Sequence, residues 1–261
     1  MSLNKSNIDW CTHTWNPATG CSKVSAGCKN CYAEAFHTKQ FNIGQRGGNV
    51  PECYRTPFNE IKCWPDRLKL PGGQRKVIFV NSMGDLFHPD VPDEFIYDVF
   101  IAMSLRPEHT YIILTKRAQR MKSFMPIVQC EIPNLWLGVS VEDQATADER
   151  IPLLLETPAA KRLVSIEPLI GKTEIDIEFG QGVGDLAVRN LDLVIAGCES
   201  GTNRRPAPHD WFRSLRDECA EEATPFYLKQ MAANPDGTGA ILHDHKLDGV
   251  VHDALPWGCG R

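Results

Sequence analysis

No apolar run in this chain approaches the roughly 20 residues that a membrane-spanning helix needs, so none is expected. The first residues, Met1-Ser2-Leu3-Asn4-Lys5, lack the apolar core of a secretory signal, which predicts a cytoplasmic protein. Basic charge is not in excess. The net charge of -5 argues against broad, non-specific binding to nucleic acid and leaves only local basic sites, such as Lys116-Arg117 and Arg204-Arg205. Internal repeats and low-complexity tracts are also missing, so no repeat array is expected.

What remains is a chain of 261 residues, 42% hydrophobic and 23% charged, long enough for one α/β domain with a sizeable core. Its ten cysteines would suggest disulfides in a small secreted domain, but this chain is neither small nor visibly secreted, and in a reducing compartment clustered cysteines more often hold metal or do redox work. They are unevenly spread. Cys11, Cys21, Cys28, Cys31, Cys53 and Cys63 fall in the first quarter, whereas Cys130, Cys198, Cys219 and Cys259 are scattered.

Residues 40–75 are rich in Gly, Pro and Asn and read as irregular, apart from a short helix over 58–68. Beyond them, β-rich apolar runs recur at 77–82, 111–115, 135–141, 162–166, 191–196 and 226–228, about one strand–helix–strand crossover apart. Continuous apolar runs without alternation suit parallel strands buried on both faces. A further strand over 8–14 precedes the cysteines. Between the runs, Phe95, Val99, Phe100 and Met103 form a helical stripe after Pro92, and Trp211, Leu215 and Cys219 another; Ala147, Ile151, Leu154 and Leu155 form a third, which Pro152 is expected to split.

The strand runs end in polar groups: Gly84 and Asp85, then Lys116 and Arg117, Ser140 and Glu142, Glu167, Glu199, and Lys229. These would converge where the C-terminal ends of parallel strands meet, which is where barrel and open-sheet enzymes place their sites. Any strand must also exit through polar residues. Six such ends in succession favour a shared site.

The strongest local signal is Cys21-Ser-Lys-Val-Ser-Ala-Gly27-Cys28-Lys-Asn-Cys31-Tyr32. Three thiolates can hold three irons of a [4Fe–4S] cluster and leave the fourth iron open. With His13 or His37 they would equally complete a tetrahedral, purely structural zinc site. Spacing alone leaves both readings open.

The stretch Thr14-Trp15-Asn16-Pro17-Ala18-Thr19-Gly20-Cys21, followed by Gly27-Cys28-Lys29-Asn30-Cys31-Tyr32-Ala33-Glu34, resembles the signature of a phage-associated protein family of unknown function that is grouped with the radical-SAM superfamily. Further matching motifs run through most of the chain: the segment from Phe79 to His88, Leu114 to Arg117, Trp136 to Asp143, Ser165 to Leu169, and Lys229-Gln230. The resemblance implies a [4Fe–4S] cluster on Cys21, Cys28 and Cys31, with S-adenosylmethionine on the open iron. It implies a partial (β/α), TIM-like barrel of six to seven parallel strands with the cysteine loop at its C-terminal mouth. One domain, 1–261, would comprise the cluster loop and irregular insert (15–75), the βα repeats (76–230) and a C-terminal tail (231–261). Two departures stand out. Six residues, rather than the usual three, separate the first two cysteines, and Cys198 replaces a glycine in Gly197-Cys198-Glu199-Ser200-Gly201.

By analogy with the superfamily, Tyr32 would touch the adenine, Gly84 and Asp85 the methionine amino group, Ser140 and Glu142 the ribose, and Lys116 or Arg117 a carboxylate or a substrate phosphate. Glu167 would orient a ligand. Arg204, Arg205, His209 and Lys229 are candidates for an anionic substrate patch. An electron donor of flavodoxin or ferredoxin type is implied as partner. Cys53, Cys63 and Cys259 could hold an auxiliary metal, although no Cys-x-x-Cys pair is present among them. The alternative from another class is a zinc-stabilised nucleotide-binding or adaptor protein without catalysis.

Overall fold

The computed structural model of the chain describes residues 3–128, 132–175 and 191–258. Its centre is a nine-stranded sheet. In chain order its strands are β1 (Leu3–Lys5), β2 (His13–Trp15), β5 (Val77–Val80), β6 (Thr110–Thr115), β7 (Leu135–Val141), β8 (Lys161–Ile166), β9 (Leu193–Gly197), β10 (Phe226–Ala232) and β11 (Ile241–Leu242). They lie side by side in the same order. Pairing is parallel from β2 to β10 and antiparallel at the two ends, β1–β2 and β10–β11. Two short ladders stand apart, β3 (Ala18–Thr19) with β4 (Lys62–Cys63) and β12 (Lys246–Leu247) with β13 (Val250–Val251). The architecture is thus mixed α/β with a large, mostly parallel sheet whose end strands, β1 and β11, lie at opposite ends of the pairing order.

Alternate residues of each strand enter two different cores, which explains the unbroken apolar runs. Ile78, Val80, Ile113, Leu137, Val139, Val164 and Ile166 face one layer together with α2 (Asp93–Ser104), α3 (Ala118–Phe124), α4 (Gln144–Glu156) and α5 (His209–Glu221). Val77, Phe79, Ile112, Trp136, Leu163, Ile195 and Tyr227 face the other way and pack with Trp10, Leu255 and Trp257. On that inner side it is chain from near the two termini, with its large aromatics, that packs on the strands. No helix among the described residues is long and apolar enough to cross a membrane.

Several sequence-based expectations need correction. The expected helix over 58–68 is instead β4 followed by a single 3₁₀ turn, Pro65–Leu68. α4 runs unbroken through Pro152; its Asp143 cap, in a reciprocal capping box with Thr146, anchors the first turn. Pro92 stands just ahead of α2, where its missing N–H costs nothing. The strand expected over 8–14 is the shorter β2. The largest omission is α1 (Tyr32–Gln45), a 14-residue helix that begins directly after Cys31 and runs into the segment read as irregular from residue 40. It buries only Ala33 and His37, so it has no apolar stripe to betray it. Cys130 and Cys259 lie outside the described residues.

Candidate functional site

The C-terminal ends of β5 to β10 and the cysteine loop enclose a cavity of about 410 Å³. Cys21, Cys28 and Cys31 all line it, with Tyr32, Gly84, Asp85, Lys116, Arg117, Ser140, Glu167 and Lys229. Its apolar side is built from Ile8, Trp10, Phe79 and Leu114. The size is that of a cofactor or drug-sized ligand.

The loop reaches this position because strand-end residues hold it. Arg117, after β6, donates to the Ser22 carbonyl at 3.0 Å, to Ser22 Oγ at 3.1 Å and to Cys21 Sγ at 3.5 Å. Asp85 in turn holds Arg117 at 2.8 Å. Beyond β7, Glu142 accepts from Ser25 Oγ at 2.6 Å. Beyond β9, Glu199 accepts from Asn30 at 3.0 Å and from Arg205, which itself donates to the Ala26 carbonyl at 2.9 Å. The Tyr32 hydroxyl donates to the Ser82 carbonyl at 2.7 Å, while its ring stays half exposed at the cavity. Four strand ends thus clamp the cysteine loop, Cys21 to Cys31, and the tyrosine that follows it. Asn30, Ser25 and the loop-binding role of Glu199 escape a reading of the sequence, because hydrogen bonds across more than 100 residues leave no local pattern.

Three expected cofactor contacts therefore have other partners. Glu142 does not line the cavity. It is fully buried behind it, ion-paired to Lys116 and, at 3.2 Å, to Arg150. Burial alone would raise its carboxyl; Lys116, Ser25 and Arg150 outweigh that and hold it below the ordinary value. Asp85 lines the cavity, but its two oxygens already accept from Thr115 Oγ1, Arg117 and the backbone N–H groups of Lys116 and Phe87. Those four bonds fill a carboxylate's acceptor capacity. Gly84 pairs by a backbone bridge with Gly20, and a Cβ on it would meet the Gly20 carbonyl at 2.9 Å. Its small size serves the approach of the cysteine loop. The anionic patch is not assembled. Of its four members only Lys229 lines the cavity, paired at 2.6 Å to Glu167; His209 is buried against the Ala232 carbonyl, Arg205 binds Glu199, and Arg204 binds loop carbonyls.

The three thiols differ. Burial pushes Cys21 up to about 11, with Asp85 adding and Arg117 opposing. Cys31, at the N-cap of α1, is also raised by burial, against the backbone N–H groups of Glu34 and Ala33. For Cys28 burial is again the largest influence, yet hydrogen bonds from the backbone of Val24 and Ser25 and the charge of Lys116 carry it below its ordinary value. Cys198 also lines the cavity, but as a buried thiol raised to about 11 by burial.

The zinc alternative read from the sequence put His13 or His37 beside the three cysteines, and neither stands there. His37 Nε2 bonds the Thr56 carbonyl at 2.8 Å and its ring packs edge-on against Tyr54 and Phe58. His13 bonds Thr12 from within β2. Among the described residues no three His, Cys, Asp or Glu side chains converge on one metal ion. A cluster asks less of convergence, because each thiolate binds a different iron. Cys53 is buried in its own 3₁₀ turn and Cys63 sits in β4, and neither lines the cavity.

Gly27 is the tightest point of the loop. A Cβ there would stand 2.6 Å from Glu142 Oε1 and closer still to its Cγ, and two cations and Ser25 fix that side chain. Gly27→Ala is expected to displace the loop and cut iron incorporation after reconstitution several-fold, with the far-UV circular dichroism of the sheet unchanged. Wild-type iron content in that variant would show that the loop has room to spare.

Residues 5–256 match the model of a family described as "Protein of unknown function (DUF5131)". No curated relative matches the chain. Among solved structures it is similar to spore photoproduct lyase complexed with dinucleoside spore photoproduct, and to a variant of that enzyme with bound AdoMet and the same photoproduct. Each is 10% identical with a TM-score of 0.48, over 84% of this chain and 64% of that one. The chain thus spans just under two thirds of their length.

Proposed function

The chain belongs to the DUF5131 family, and from that membership together with the site we propose that it is a radical S-adenosylmethionine enzyme whose [4Fe–4S] cluster is bound by Cys21, Cys28 and Cys31. One observation carries the reading: the three thiols of the loop line one cavity at the C-terminal ends of parallel strands, with neither candidate histidine beside them. A three-thiolate cluster keeps one iron open for the amino and carboxylate groups of the cofactor. Reduced by an external one-electron donor, such a cluster supplies the electron that cleaves the C–S bond of S-adenosylmethionine.

The chain's own residues do the rest. The Cys28 thiol, held below its ordinary value while those of Cys21 and Cys31 are raised, loses its proton most readily of the three, and ligation needs the thiolate. Arg117 fixes the loop and lies against Cys21, where its charge offsets that of an anionic cluster. At the start of α1 the backbone N–H groups of Ala33 and Glu34 favour the Cys31 thiolate. The Tyr32 ring, the Ser140 hydroxyl and the Glu167–Lys229 pair remain facing the cavity to orient the cofactor. Trp10, Phe79 and Leu114 form an apolar side that keeps water from a reactive fragment.

Anaerobic reconstitution followed by iron and acid-labile sulfide analysis tests the cluster; about four irons and broad absorption near ~400 nm are expected. With dithionite and S-adenosylmethionine, chromatography should then detect methionine and 5′-deoxyadenosine. Stoichiometric zinc without iron would overturn the reading. A fully loaded cluster that never cleaves the cofactor would remove the enzyme and leave an iron–sulfur protein.

A further inference from the structure

The reading above leaves unused the residue that ends β5. Asn81 has a left-handed backbone, φ 60°, a region that side chains other than Asn and Asp enter at a cost. Its backbone is satisfied: the N–H donates to the Trp15 carbonyl at 2.7 Å and the carbonyl accepts from Gly84 at 3.2 Å. Its side chain is not. The residue is 3% exposed and lines the cavity, yet neither Oδ1 nor Nδ2 has a hydrogen-bond partner among the described residues. Folded chains ordinarily avoid burying an amide in this way. Trp10 repeats the pattern in the same cavity, 2% exposed with Nε1 unpartnered.

The surroundings state what would satisfy the amide. Phe79 precedes Asn81 by two residues on the strand, and the Trp10 ring packs on it tilted by 59° with centroids 4.8 Å apart, so a wall of two aromatic rings, either of which offers a face to a base, stands beside the amide. An asparagine amide presents an acceptor next to a donor, and its complement is a planar edge carrying a donor next to an acceptor. Charge is excluded as the selector, because the acids facing this space, Asp85, Glu167 and Glu199, are paired with Arg117, Lys229 and Arg205, and Lys116 is paired with Glu142. A peptide amide would match the edge but has no ring to lie on the wall; a nucleobase has both.

We propose that the inner part of the cavity takes a nucleobase of the substrate, stacked by Trp10 and Phe79 and paired along its edge with the Asn81 amide. This rests on the cavity being the reaction chamber and adds the class of molecule that enters it.

The test needs no cluster. Calorimetric titration of the full-length, unreconstituted protein with free guanosine, cytidine, thymidine and adenosine is compared with Asn81→Gly, which accepts the left-handed backbone and removes the amide, and with Asn81→Leu, which keeps the bulk. At least one of guanosine, cytidine and thymidine should bind the wild type, and both variants should bind it about ten-fold or more weakly. The thermal midpoint of Asn81→Gly should not fall, because no hydrogen bond is lost. The proposal is overturned if no nucleoside binds, if binding survives in Asn81→Gly, or if that variant loses stability with binding intact. Binding of adenosine alone would also overturn it, since the amide would then serve the cofactor's own base. Iron incorporation can fail or succeed independently of every one of these outcomes.

Discussion

Cys28→Ala is expected to leave the protein folded but colourless, with iron reduced to background and no 5′-deoxyadenosine formed. Cys21→Ala and Cys31→Ala should do the same, because two thiolates cannot retain a cluster that exposes an open iron. Cys63→Ala and Cys53→Ala provide the contrast. Neither residue lines the cavity, so both variants should reconstitute to the wild-type iron content. The measurement is iron per chain together with absorbance after anaerobic reconstitution. Full iron in any of the three cavity variants would remove that cysteine from the ligand set. Loss of iron in Cys63→Ala would bring the second cysteine pair back as a metal site.

Glu142→Ala is expected to be among the most destabilising substitutions in the chain. Glu142 is fully buried and Arg150 is 2% exposed, so the substitution strands a buried guanidinium and also deprives Lys116 of its partner. Removing one member of such a group costs about 3–5 kcal/mol. Ser25 loses its acceptor as well, so iron incorporation should fall even at temperatures where the fold survives. Urea unfolding and iron content read the two effects separately. A loss below about 1 kcal/mol would show the pair to be solvated. The pH dependence has a definite sign. The folded state holds the Glu142 carboxyl below its ordinary value of 4.5, so its contribution is complete above that pH and is lost as pH falls through the lower, folded-state value. Glu199, lowered by Arg205 and Asn30 against its burial, acts in the same direction. Glu142→Gln should flatten part of the acid limb and leave the pH dependence above about pH 5 as it is in the wild type.

The strands show how far local chemistry reaches. β7 occupies the expected residues, 135–141, and β6 and β8 begin one residue earlier than their apolar runs. A strand buried on both faces must be apolar at every position, and that signal needs no partner to be read. α1 carries no such signal: a helix that buries one alanine and one histidine is held by what surrounds it, and its Gly- and Asn-rich continuation reads as loop. The zinc alternative was undecidable in one dimension, because the distance in space from His13 to Cys21, eight residues after it, or from His37 to Cys31, six residues before it, is set by folding alone.

The same division runs through the site. Which residues stand at the strand ends follows from the sequence, since a parallel strand must leave the sheet through polar groups and these repeat at crossover spacing. The cysteine loop, too, is legible as a unit, because its three thiols and Gly27 lie within eleven residues. What each strand-end charge does was decided by tertiary structure. Asp85, Lys116 and Glu142 had the composition of ligand contacts, but a buried charge must find its counter-charge wherever the fold supplies it: Asp85 found Arg117, Lys116 found Glu142, and Glu142 also found Arg150 and the Ser25 hydroxyl. Asn81 shows the reverse: an unexceptional residue in the sequence, which the fold alone left buried, facing the cavity and unpaired.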